Sequence, residues 1–133
     1  MLFDKVIGHE KQISILKRDI EHKNMAQSYI LSGPDGIGKR LIAMIATRYL
    51  NCLAPAGGEA CGACESCLKF TIQQEGSLLS ITSTHPDIEF LEPAWKDEKG
   101  KQKKNPIIKI DDIRAFQDNI NNRICGSIQG WYY

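Results

Sequence analysis

Apolar residues recur along this chain with helical spacing in some stretches and in short unbroken runs in others. Ile13, Leu16 and Ile20 stand three and four apart among polar neighbours. They predict an amphipathic helix over residues 10–22, after a lead-in loop over residues 3–10 in which Gly8 turns the chain. Leu41, Ile42, Ile45, Ala46, Tyr49 and Leu50 cover one wide face of a second helix that ends at Cys52. Between the two helices, residues 23–27 read as a connector, and the apolar run Tyr29-Ile30-Leu31 within residues 28–32 as a buried strand. Beyond the second helix, residues 68–74 read as a further helix and residues 76–84 as a loop. Ile88-Glu89-Phe90-Leu91-Glu92 alternates as a second strand should. Ile107-Ile108-Lys109-Ile110 then meets Asp111, a suitable N-cap for a helix carrying Ile113, Phe116 and Ile120. Gly130-Trp131-Tyr132-Tyr133 reads as the start of another strand. Alternation of strands and helices predicts an α/β domain.

The first strand and the second helix enclose Ser32-Gly33-Pro34-Asp35-Gly36-Ile37-Gly38-Lys39-Arg40. A strand, a glycine-rich turn and a helix N-terminus form a phosphate-binding arrangement. Backbone N–H groups point inward, the helix end adds partial positive charge, and Lys39 can reach a terminal phosphate. The candidate nucleotide-binding residues are Gly33, Pro34, Asp35, Gly36, Ile37, Gly38, Lys39 and Arg40. The loop fits G-x-x-x-x-G-K-[ST] except at its last position, where Arg40 replaces the hydroxyl that holds a nucleotide's Mg²⁺. A guanidinium has five donors and no lone pair to offer a cation. The loop is therefore suited to phosphate and poorly suited to the metal of hydrolysis. A glycine-rich turn with an incidental lysine is the competing reading, and the flanking pattern weighs against it.

Cys52, Cys61, Cys64 and Cys67 follow the second helix with the spacing C-x8-C-x2-C-x2-C. Four thiolates satisfy a closed tetrahedral zinc site, and C-x2-C lets one turn present two sulfurs to one ion. A ferredoxin-type cluster wants a further cysteine three residues on, where Thr71 stands. Structural Zn²⁺ is thus the expected cofactor, with free buried thiols as the alternative. Cys125 stands apart and reads as a small core residue.

Composition narrows the function classes. The 133 residues are 42% hydrophobic and 25% charged with a net charge of +1, so no global basic field argues for nucleic acid. The opening residues lack the basic region and long apolar core of a signal peptide, and no run is long enough to span a membrane. The expected location is the cytoplasm, where clustered cysteines point to metal rather than disulfides. Residues 93–106 contain Lys96, Lys99, Lys101, Lys103 and Lys104 and read as a solvated loop. A phosphate-contacting patch is the other reading, and only Trp95 is there to stack on bases. An apolar run ending in Asp111 and Asp112 could also serve as a Walker B strand, against which Lys109 interrupts the run. His85 precedes Pro86 and reads as a turn residue, because no acidic or nucleophilic partner is close in sequence.

Ile7-Gly8-His9-Glu10, the phosphate loop after Tyr29-Ile30-Leu31, the four-cysteine knuckle, His85-Pro86-Asp87 and Ile110-Asp111-Asp112-Ile113-Arg114 together resemble bacterial DNA polymerase III clamp-loader subunits. The zinc module after the phosphate-loop helix is shared with both gamma/tau and delta-prime types. The His-Pro-Asp turn, the Ile-Asp-Asp-Ile-Arg segment and the degenerate Arg40 are more similar to delta-prime. The resemblance implies the N-terminal part of an AAA+ P-loop domain over residues 1–133, a Rossmann-like three-layer sandwich with an incomplete sheet, interrupted by a zinc module over residues 52–67. It implies a clamp-loader subunit that works with its sister subunits and the sliding clamp, reaches primed DNA only through the assembled complex, and binds ATP and Mg²⁺ weakly at best. The family's own Walker B strand is expected near Trp131, so the chain reads as a fragment. A gamma/tau-type clamp-loader ATPase subunit, a small independent P-loop ATPase or kinase, which needs Asp111 or Asp112 beside the loop, and a zinc-knuckle binding module with a relic loop are the alternatives.

Overall fold

The computed structural model describes residues 2–93 and 106–121. The chain divides into two compact units, Met1–His85 and Pro86–Tyr133. The lysine-rich run, Trp95, Cys125 and the aromatic terminus lie outside the described residues.

In the first unit a 3-10 turn, Phe3–Lys5, leads to helix α1, Glu10–Glu21. Its stripe Ile13, Leu16 and Ile20 is buried as the spacing predicts. Helix α2, Lys39–Leu50, packs against both α1 and strand β2, Leu78–Ser83. Every residue of α2 from Ile42 to Tyr49 is buried, including Thr47 and Arg48. A helix enclosed on all sides is the axis of the core rather than an amphipathic cover. Ala43 and Ala46, both 0% exposed, keep its sides small enough for close approach.

After α2 come a short helix α3, Glu65–Leu68, and strand β1, Phe70–Glu75, which pairs antiparallel with β2. This hairpin replaces the helix expected over 68–74 and the loop expected over 76–84. Gly76-Ser77 forms a two-residue turn with φ of 59° at Gly76, the type II′ pattern whose twist suits paired strands. Phe70, Leu79 and Ile81 turn inward while Thr71, Gln73, Ser80 and Thr82 are exposed. Buried His85 packs against Phe70, its ring centroid 6.1 Å away and tilted by 43°, and its backbone N–H donates to Ser83 Oγ. It closes the hairpin, in keeping with a turn residue.

The apolar run over 28–32 is not a strand, and Ile30 is 92% exposed. A strand is completed by a ladder partner, and among the described residues none lies beside this run. Tyr29 instead donates its hydroxyl to Asp19 Oδ2 at 3.1 Å. The alternating run over 88–92, in the second unit, likewise forms no strand. Two antiparallel strands are therefore the only sheet among the described residues, and the Rossmann-like sandwich that the resemblance implies is not seen in them.

The second unit contains helix α4, Ile110–Asn121. Asp111 lies in its first turn rather than capping it. The backbone N–H of Lys109, the residue before the helix, donates to Asp112 Oδ2 at 2.8 Å, which is the returning half of a capping box. Both acids sit where the helix dipole favours negative charge. That is a local reason for their position and places them on a helix, not at the end of a Walker B strand. None of the helices among the described residues is long and apolar enough to cross a membrane.

Candidate phosphate loop and metal centre

The loop before α2 holds the candidate nucleotide-binding residues in one turn. Gly38 precedes the helix with φ of 91°, a left-handed conformation that a side chain would strain, and it supplies no side-chain cap. No side chain at the cap position takes the first N–H groups of α2, the donors a phosphate would use. Lys39 folds back over the loop, donating from Nζ to the carbonyls of Gly33 at 2.8 Å and Pro34 at 2.6 Å. Asp35 Oδ1 is 3.9 Å from the same nitrogen. Two of the ammonium's three donors are engaged by loop carbonyls, contacts that an arriving phosphate oxygen would have to displace. His9, left-handed at φ 62° ahead of α1, brings its Nε2 to 2.9 Å from the Ile37 carbonyl and braces the loop from the other side. The motif pattern gave no sign of this brace. Arg40 is exposed and, with Lys39 and Gly36, borders a cavity of about 570 Å³ whose far wall includes Met44, Leu79 and Ile81.

At the other end of α2 the four cysteines converge. Their sulfurs all lie within 4.8 Å of one another, and the Cys52–Cys64 and Cys61–Cys67 pairs are each separated by 4.0 Å. Four thiolates about 2.3 Å from a tetrahedral zinc stand about 3.8 Å apart, so this group can hold a metal ion. Three sulfurs accept backbone N–H groups: Cys52 from Cys61 at 3.2 Å, Cys61 from Cys64 at 3.3 Å, and Cys64 from Cys67 at 3.4 Å. Hydrogen bonds to a thiolate favour its charged form. The backbone N–H groups of Leu53 and Cys67 hold the Cys64 thiol down at about 6, and those of Ala63 and Cys64 lower Cys61. Buried Cys67 is driven the other way, to about 12, by desolvation.

The segment between Cys52 and Cys61 has its own fixing point. Ala56 and Glu59 exchange backbone hydrogen bonds around Gly57-Gly58, whose φ of 59° and 75° make the tight turn. The turn leaves the Glu59 side chain buried, where its carboxylate accepts the backbone N–H of Leu2 at 2.7 Å and of Phe3 at 3.3 Å. Lys17 of α1 completes the contact at 3.6 Å. Sequence spacing gave no sign of Glu59, because its partners lie far away along the chain.

A family model described as DNA polymerase III, delta subunit matches residues 8–129. The DNA polymerase III subunit delta' of Pseudomonas aeruginosa is 36% identical over 89 residues, which are 67% of this chain and 22% of that protein. Subunit gamma/tau of Mycobacterium tuberculosis is 34% identical over 76 residues, 57% of this chain and 13% of the relative. Subunit tau of Bacillus subtilis is 32% identical over 69 residues, 52% and 12%. The chain thus spans only a small part of the curated relatives it matches. No solved structure matches it. With the family match running across the phosphate loop and all four knuckle cysteines, this chain belongs to the DNA polymerase III delta-subunit family of clamp-loader-type proteins.

Proposed function

We propose that this chain is part of a delta-prime-like clamp-loader subunit, with an AAA+ P-loop domain over residues 1–133 and a zinc module over residues 52–67. The observation that carries the reading is the placement of two sites at the two ends of one core helix. The phosphate loop opens onto the uncapped N-terminus of α2, and Cys52 stands just past its last residue, Leu50. Zn²⁺ at Cys52, Cys61, Cys64 and Cys67 has four protein ligands and no vacancy, so its role is structural. The loop residues Gly33 to Arg40 form a degenerate nucleotide site. Backbone donors and Lys39 remain for phosphate, while Arg40 offers Mg²⁺ no oxygen. The intact protein acts in the cytoplasm through protein contacts, joining other clamp-loader subunits and the sliding clamp and reaching primed DNA through the assembly. Near-neutral charge supports this division of labour.

Titration with a labelled ATP analogue, with and without Mg²⁺, tests the reading. Binding is expected to be weak or undetectable and little changed by Mg²⁺, and Lys39→Ala should abolish whatever is seen. No ATP turnover is expected, and Arg40→Thr alone should not create it. Magnesium-dependent hydrolysis that vanishes with Asp111→Asn would replace this proposal with an independent ATPase.

A further inference from the structure

Arg48 lies on α2 and is 7% exposed. It makes no ion pair and no hydrogen bond with a described residue, and its Nε is a buried donor without a partner. A guanidinium cannot shed its proton to escape burial, so an uncompensated one weighs heavily on a core. Its surroundings indicate where the missing negative charge belongs. Arg48 Nη2 is 3.3 Å from the point a Cβ on Gly62 would occupy, and Gly62 forms the turn between Cys61 and Cys64. The other buried donor without a partner among the described residues is Ser66 Oγ, which lies on α3 between Cys64 and Cys67. Both orphaned donors belong to residues set against the cysteine knuckle, Arg48 through its approach to the Gly62 turn and Ser66 through its place on α3 between Cys64 and Cys67. The one buried carboxylate among the described residues, Glu59, is committed to Leu2, Phe3 and Lys17.

A divalent ion held by four thiolates leaves two negative charges in excess, and a low-dielectric neighbourhood makes a fixed cation beside it effective. Resting on the reading of the four cysteines as a metal site, we propose that Arg48 is the counter-cation of the loaded centre, a positioning residue that balances the metal–thiolate charge from the core helix. The arrangement makes the core of α2 electrostatically complete only when the knuckle carries its ion.

The test compares wild type, Arg48→Met and Arg48→Lys as purified chains, with zinc affinity measured by competition against a chromophoric chelator and thermal midpoints measured with zinc and with EDTA. Arg48→Met should weaken zinc binding by about 10- to 100-fold, the range for outer partners of metal ligands. Arg48→Lys should stay within a few fold of wild type. In EDTA the sign reverses: Arg48→Met should melt no lower than wild type, because most of the negative charge that Arg48 balances is gone once Cys67 and its neighbours regain protons, and the buried cation is then a burden. An Arg48→Met chain that binds zinc as wild type does, or that loses stability equally with zinc and with EDTA or fails to fold in EDTA, overturns the inference and leaves Arg48 a packing residue. A wild-type chain that binds no zinc overturns the metal reading itself, and this inference with it.

Discussion

Cys64→Ser is expected to abolish stoichiometric metal binding, where the wild-type chain should hold one Zn²⁺. Cys64 sits at the centre of the knuckle: its sulfur is 4.0 Å from Cys52 and accepts from Cys67, and its own N–H donates to Cys61. Serine keeps the volume but supplies a hard, protonated ligand in place of a soft thiolate. Structural zinc in small modules contributes about 10–16 kcal/mol of apparent binding energy at pH 7, so even a fraction of that coupled to folding is large against a domain's stability. Hydrogen exchange should show residues 52–68 losing protection first, with α2 holding longer through its apolar packing. Elemental analysis checks the metal, and iron in place of zinc would remove the assignment.

The same centre fixes the sign of a pH dependence. Thiolates bind and thiols do not, so protons compete with metal. Near neutrality Cys64, held at about 6, is mostly thiolate, whereas Cys67, pushed to about 12, keeps its proton until an ion displaces it. Metal uptake should therefore release protons at pH 7, and affinity should fall steadily as pH is lowered, most steeply once Cys64 begins to protonate near pH 6. In the metal-free chain, the lowered Cys64 thiol contributes stability that is fully present above the ordinary thiol value of 9.0 and is lost as pH falls toward 6. Dialysis across this range followed by metal analysis checks it, and zinc retained unchanged below pH 5 would contradict it.

The parts of the chain that were legible in its sequence are those whose physics is local. Helix α1 announces itself by Ile13, Leu16 and Ile20, and the knuckle by cysteine spacing, because a C-x2-C turn brings its own sulfurs together. The start of α2 follows from its glycine turn. The strands depart from the sequence pattern for opposite reasons. Residues 28–32 carry the apolar run of a strand, but a run cannot supply the neighbour that completes a ladder, and Ile30 is left in solvent. Residues 70–83 do carry a local signal, Gly76-Ser77 between alternating apolar positions, but the polar Gln73-Gln74-Glu75 stretch before the turn blurs the alternation of the first strand. Glu59 and Arg48 leave no mark at all. Each owes its role to atoms distant in sequence, the N-terminal backbone for Glu59 and the Gly62 turn for Arg48.

Met44→Ala is expected to destabilise the chain by about 2–5 kcal/mol, the range for removing a fully buried long side chain. The magnitude follows from its place on α2, the one helix among the described residues that is enclosed all round. Met44 is 1% exposed, one turn beyond the phosphate loop, and shares the cavity wall with Leu79 and Ile81 of β2. Its neighbours on α2, Ala43 and Ala46, have no bulk with which to fill the space it would leave. Since domains of this size are stable by about 5–15 kcal/mol in all, such a loss should shift the denaturant midpoint far while leaving the slope unchanged. Met44→Leu conserves most of the volume and should cost less than about 1.5 kcal/mol. The pair separates packing from chemistry, because neither side chain carries charge or a strong hydrogen-bonding group. Equal midpoints for the two variants would mean that α2 is not the core axis and that hairpin and loop are held apart by something other than Met44.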